Sequence, residues 1–160
     1  MALDQTNLMR LSILIFLCFF LMFPSSKGQQ IDDSLLVASL SRTTCYGNCP
    51  YYEIKVYANG IATYLGKKNV LLIGFYKATI NENIIEQILN KALQIKYMSL
   101  NNKYPLKGIG IIDFPVCITS IKTKKGKKKT IYNRNDSPQK LIEFQNFFDK
   151  LFEETEWKKI

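Results

Sequence analysis

Asn59-Gly60 separates two runs of β-branched and aromatic residues, YYEIKVYA (51–58) and IATYL (61–65). Asn-Gly is the strongest two-residue hairpin signal, because both positions accept the positive φ of a type I′ turn. The chain is therefore committed to an antiparallel strand pair around residue 60. Other apolar runs extend that start: LLVASLSR (35–42) before it and NVLLIGFY (69–76) after it read as strands. The period then changes. Thr79 and Glu82 have the spacing of a capping box, and Ile84, Ile85, Ile88, Leu89 and Ala92 form a helical stripe. An irregular stretch with Pro105, Gly108, Gly110 and Pro115 precedes two further strands, VCITSIK and KKTIYNR, with Gly126 in the turn between them. Ser137 reads as an N-cap with Pro138 at the first helical position. Leu141, Phe144, Phe148, Leu151 and Phe152 line one face of the helix that follows. The order β-β-β-β-α-β-β-α with short turns predicts an α+β fold: a largely antiparallel sheet with both helices packed on one face.

The first residues concern destination rather than fold. Leu11 to Phe23 is an uncharged run of thirteen residues, too short for the roughly 20 that span a bilayer. It suits the apolar core of a secretory signal, with Arg10 as the basic flank and Ser26 and Gly28 as the small residues before a cut at Gln29. Translation from Met1 puts Asp4 in the leading region; a start at Met9 gives the more ordinary MRLSILIF. The expected organisation is a cleaved signal over 1–28, a short extension over 29–34 and one α+β domain over 35–157. The alternative is a retained membrane anchor. Cleavage removes Arg10, Lys27, Asp4 and Cys18, so the 22 basic and 13 acidic side chains become 20 and 12, a charge of +8 on 132 residues. The mature chain then has no transmembrane anchor, and its destination is periplasmic or extracellular.

Composition narrows the chemistry. The chain has no histidine, which removes the usual general base, the Ser-His and Cys-His nucleophile pairs and the commonest zinc ligand. Cys45, Cys49 and Cys117 remain after cleavage, one too few for a four-thiolate zinc site. In an oxidising compartment Cys45 and Cys49, with three residues between them, are expected to form a disulfide. Gly47 and Asn48 between them tolerate the positive φ a tight loop can require. A redox pair or a Cu(I) site built on Cys45 and Cys49 is the alternative, since soft thiolates suit Cu(I). Cys117, on an apolar strand, is expected to be a buried small hydrophobe. A carboxylate enzyme using Asp113 or Glu53 is a third reading. No cofactor or resident metal is expected.

Six lysines fall between Lys122 and Lys129, in KTKKGKKK. At a hairpin tip they keep the turn soluble and discourage edge pairing. Without arginine they offer no bidentate fork for phosphate or base edges, so no nucleic-acid partner is expected. Lys124, Lys125, Lys127 and Lys128 could instead meet anionic lipid head groups or polysaccharide. Asp149, Glu153, Glu154 and Glu156 are expected to solvate the outer side of the last helix.

Ser39-Leu40-Ser41-Arg42-Thr43, Cys45-Tyr46-Gly47-Asn48-Cys49-Pro50-Tyr51-Tyr52, Tyr57 and the Asn59-Gly60 turn together resemble the opening motif of one family. That family, found in exported bacterial proteins, is catalogued as domain of unknown function 6438. The similarity continues through Tyr64, Gly66, Asp113-Phe114-Pro115, Thr119-Ser120, Ile131, Pro138 and Leu141, to Asp149 and Trp157. Its specific part is Arg-x-x-Cys-x-Gly-x-Cys-Pro. Ile112 and Cys117 depart from the pattern, which has a threonine and a small polar residue there. The resemblance implies an exported domain without an assigned activity. The expected function is a binding or structural module of the cell envelope, with an envelope protein or an anionic polymer as partner. Arg42, Tyr46, Gly47, Asn48 and Tyr51, with Asp113, make the candidate functional surface.

Overall fold

A computed structural model describes residues 31–108 and 110–160. The expected signal segment, residues 1–28, lies outside the described residues. Among the described residues eight strands form one sheet: β1 (Leu36–Arg42), β2 (Tyr51–Tyr57), β3 (Ile61–Lys68), β4 (Gly74–Thr79), β5 (Lys103–Tyr104), β6 (Cys117–Lys122), β7 (Lys128–Asn133) and β8 (Lys158–Lys159). Their spatial order is β5-β7-β6-β1-β2-β3-β4-β8, antiparallel throughout except for the short β5–β7 pair. Helices α1 (Glu82–Gln94) and α2 (Gln139–Lys150) share a single apolar core with the strands. The α+β architecture with both helices on one face is thus the one the periodicity predicts.

Strand register shows how that face is built. Side chains directly opposite across a ladder lie on the same side of the sheet. One row runs Ile121–Ala38–Val56–Ala62–Ala78 and the next runs Ile131–Thr119–Leu40–Ile54–Tyr64–Tyr76. The small and branched residues of these rows meet Ile85, Ile88 and Ala92 from α1 and Leu141, Phe144 and Phe148 from α2. The third row, at the strand ends nearest the disulfide loop, is polar: Asn133–Cys117–Arg42–Tyr52–Gly66–Gly74.

Three local expectations need correction. β4 begins at Gly74, not Asn69, and runs to Thr79. Asn69 (φ 53°) and Gly74 (φ 112°) both take left-handed conformations, so residues 69–73 are a turn that carries the chain back over β3. Thr79 is therefore the last strand residue, opposite Ile61, and cannot cap α1. Asn81 does so, its Oδ1 accepting from the Asn83 N–H at 2.9 Å. α2 starts one residue later than expected, because Pro138 is still extended (ψ 138°) and serves as the cap position. The Ser137 hydroxyl makes no hydrogen bond. Strands β5 and β8 and the 3-10 turns Asp33–Leu35 and Tyr97–Ser99 lie outside the expected element list.

Candidate functional site

The polar row becomes a site because α2 crosses it. Gln145, Asn146 and Asp149 sit beside the buried stripe of Phe144 and Phe148 on the same helix, one turn apart. Their side chains reach the strand ends. Asp149 accepts from Arg42 Nε at 2.8 Å and, through the same oxygen, from Arg42 Nη2; its other oxygen accepts from the Tyr52 hydroxyl at 2.6 Å. Arg42 Nη2 also donates to Asn146 Oδ1 at 3.3 Å. Further along, Asn133 Nδ2 donates to Gln145 Oε1 at 2.8 Å, and both amides are buried. Cys117 sits opposite both Arg42 and Asn133 in the ladders.

The electrostatics follow from partial burial. Burial opposes the charge on Arg42, but Cys117, Asp149 and Tyr52 in their ionised forms outweigh it and raise the guanidinium pKa. Burial and the neighbouring Asp149 both raise the Tyr52 phenol. Burial also pushes the Cys117 thiol up to about 12, against the lowering effect of Arg42. The phenol and the thiol therefore stay protonated at neutral pH, and the Asp149 carboxylate is the anion that holds Arg42. The network is a lock between sheet and helix.

Breaking the lock should cost stability. Asp149→Ala removes the anion that pairs with the guanidinium and the acceptor of the Tyr52 hydroxyl. The side chains of Arg42 and Asp149 are 25% and 19% exposed, so the loss is set at about 2 kcal/mol rather than that of a fully buried pair. Urea unfolding of Asp149→Ala, Arg42→Met and the double variant is the check. A coupling energy near zero between the two positions would show that they do not act as a pair.

The Cys45–Cys49 loop sits just beyond this row. The two cysteines are joined by a disulfide with Cα atoms 5.6 Å apart. Gly47 N–H donates to Cys45 Sγ at 3.3 Å, and neither Gly47 nor Asn48 takes a left-handed conformation. Cys117 is free and buried. Tyr46 is 94% exposed at the loop tip, while Gly47 and Asn48 are exposed beside it. Tyr51 follows on β2, its hydroxyl accepting from Lys67 Nζ at 3.0 Å. Arg42 departs from this group: it turns inward to Asp149. Asp113 is exposed in a turn closed by the Phe114 N–H to Ile111 carbonyl bond at 3.1 Å, and its segment runs back to β1 through Thr43 N–H to the Val116 carbonyl at 3.0 Å. Glu53 lies on β2 between the inward-facing Tyr52 and Ile54, so it points to the opposite side of the sheet, 3.9 Å from Lys55 Nζ. Among the described residues no three Cys, Asp or Glu side chains gather as a metal-holding group.

Alkylation of the unreduced protein followed by mass spectrometry should leave Cys45 and Cys49 unlabelled and joined. After denaturation Cys117 should label while Cys45 and Cys49 stay joined. Ready labelling of Cys45 or Cys49 in the native protein would overturn the staple. Replacing both with Ser should cost about 2 kcal/mol by the loop-entropy model, leaving a folded domain.

The sequence pattern of the domain of unknown function DUF6438 matches residues 37–152, most of the chain and both halves of the Arg42–Asp149 lock. The chain belongs to that family. No curated protein matches it. Among the described residues no helix is long and apolar enough to cross a membrane.

The sequence reading did not pair Asp149 or Tyr52 with Arg42. Tyr52 was within reach of a register argument, since it faces Arg42 across the β1–β2 pair. Asp149 reads as a solvated acid when the last helix is considered alone. Its signal is its place next to Phe148 at the edge of the apolar stripe.

Proposed function

We propose that this DUF6438 member is an exported binding or structural module of the cell envelope, working through the loop end of its sheet. The observation that carries the reading is the set of apolar side chains left in solvent on a braced frame there. Tyr46 (94% exposed) belongs to the disulfide loop, Leu71 (102%) to the 69–73 turn, and Ile112 and Phe114 to the segment before β6. All three connections leave the same ends of the strands. Asn69 Nδ2 ties the second to the first by donating to the Cys49 carbonyl at 3.1 Å. Val116 N–H ties the third by donating to Thr43 Oγ1 at 2.8 Å. Apolar groups held exposed by rigid connections mark a surface that meets another molecule. A bridged Cys45–Cys49 pair and a buried, hard-to-ionise Cys117 favour this reading over thiol redox or Cu(I) chemistry.

The test has two arms on protein from the native host. N-terminal sequencing should find Gln29 first, in the envelope or medium fraction; a chain with Arg10 and Leu11 still attached would mean a retained segment instead. A photo-crosslinking residue at Tyr46 should give a discrete adduct in the cell, and one at exposed Glu143 should not. No adduct at Tyr46, or the same adducts at both positions, would overturn the binding surface.

A further inference from the structure

At the other end of the sheet a hollow is built from different elements. The last turns of α1, the 3-10 turn Tyr97–Ser99 and the β6–β7 hairpin enclose a groove of about 350 Å³. Its floor is apolar: Leu89, Ala92, Tyr97, Met98 and Ile121, with Leu93 standing 77% exposed on the rim. An adjoining hollow of about 360 Å³ shares Leu89, Thr123 and Lys124 and ends against Glu82 and Glu86. These volumes fall within the range of small-molecule sites, roughly 300–1,000 Å³.

The polar groups along the groove are distributed unevenly. The Tyr97 hydroxyl is engaged by Thr119, at 2.8 Å from both its carbonyl and its Oγ1. Lys129 Nζ donates to the Met98 and Leu100 carbonyls, and Lys122 Nζ donates to the Ser34 carbonyl at 2.8 Å. Lys96 and Lys124 also line the groove and are exposed, and their ammonium groups make no ion pair or hydrogen bond among the described residues. Lys125 and Lys127 add charge on the same turn, which Gly126 closes at φ 84°. The groove thus has an apolar floor with the exposed ammonium groups of Lys96 and Lys124 on its lining, while the carboxylates of Glu82 and Glu86 line only the adjoining hollow.

From this pattern we infer a binding site for a single-chain anionic amphiphile, a medium-length fatty carboxylate. The carboxylate sits between Lys96 and Lys124, and the alkyl chain lies over Leu89 and Leu93. Charge complementarity sets the placement: Glu82 and Glu86 disfavour a carboxylate in the adjoining hollow relative to the groove, and the lysines repel a cationic head group. The site uses none of the loop-end residues, so its failure and the failure of the loop-end surface are separate results.

The probe is decanoate, below its micelle concentration, titrated by calorimetry into protein from the native host. Saturable one-to-one binding is expected. Lys96→Gln with Lys124→Gln should weaken it by about tenfold or more, the scale of one lost charge-assisted contact, and should not weaken decyltrimethylammonium. Leu93→Asp should abolish it, while Tyr46→Ser should leave it unchanged. All four positions are exposed, so unchanged melting temperatures check that the fold persists. Equal affinity for decyltrimethylammonium, no effect of Leu93→Asp, or retention on phosphatidylglycerol vesicles without saturable decanoate binding would each overturn the assignment.

Discussion

Gly66→Ala should destabilise the domain by about 3 kcal/mol or more, although Gly→Ala within a strand is ordinarily neutral or favourable. Gly66 is extended, so its backbone conformation does not demand glycine. The space above it does. The 69–73 turn folds back across β3, and a Cβ on Gly66 would lie 1.7 Å from the Leu72 carbonyl oxygen and 2.9 Å from Tyr64 Cε1. The obstacle is backbone, so no rotamer change relieves it and the turn must lift. Lifting it strains the hydrogen bonds that hold it, Asn69 to the Cys49 carbonyl and the Tyr76 hydroxyl to the Ile73 carbonyl at 3.2 Å. It also moves Leu71, so the crosslink proposed at Tyr46 should weaken together with stability. Thermal unfolding should show a fall of roughly 10 °C for a domain of this size. Gly126→Ala is the control: nothing lies within 4 Å of its Cβ, and only the left-handed φ of 84° is penalised, at about 1 kcal/mol. A Gly66→Ala variant as stable as the native protein would mean that the turn does not press on the strand.

The contrast between these glycines shows which parts of the fold local sequence could carry. Asn59-Gly60 announces its hairpin because turn chemistry and flanking strands lie within a dozen residues. The stripes of α1 and α2 are legible for the same reason: burial repeats at the helical period. NVLLIGFY misleads because an unbroken apolar run has no period to separate strand from turn. The left-handed conformations of Asn69 and Gly74 that interrupt it arise from the return over Gly66. β5 and β8, of two residues each, are too short to hold any pattern. The Arg42–Asp149 lock spans 107 positions and depends on how α2 crosses the ends of β1 and β2, which no window of sequence contains. Cys117 was legible as a buried hydrophobe from its strand alone. That it sits between Arg42 and Asn133 was not.

That position of Cys117 gives the protein an alkaline limit. The thiol is 5% exposed, and burial pushes its pKa up to about 12 from an ordinary value of 9.0, with Arg42 pulling it down and Asp149 up. A folded-state pKa above the unfolded one means the unfolded chain gives up its proton first. The unfolded state then binds fewer protons than the native state, and stability falls as pH rises. The contribution is complete below about pH 9 and is lost progressively toward pH 12, at about 1.4 kcal/mol per pH unit. Tyr52 and Tyr97, whose phenols burial also raises, add to the decline from about pH 10, the ordinary phenol value. Between pH 9 and pH 11 the thiol alone should therefore remove about 2 kcal/mol, a large share of the stability of a small domain. Cys117→Ala leaves only a small gap at neutral pH, about 1 kcal/mol, and deletes the titrating group. Urea unfolding at pH 8, 9, 10 and 11 should show the native protein losing stability steeply, and Cys117→Ala losing it more slowly by about the thiol's share. The two should converge or cross near pH 10. Parallel curves would mean that ionising Cys117 costs the folded protein nothing, and that solvent reaches the space between Arg42 and Asn133.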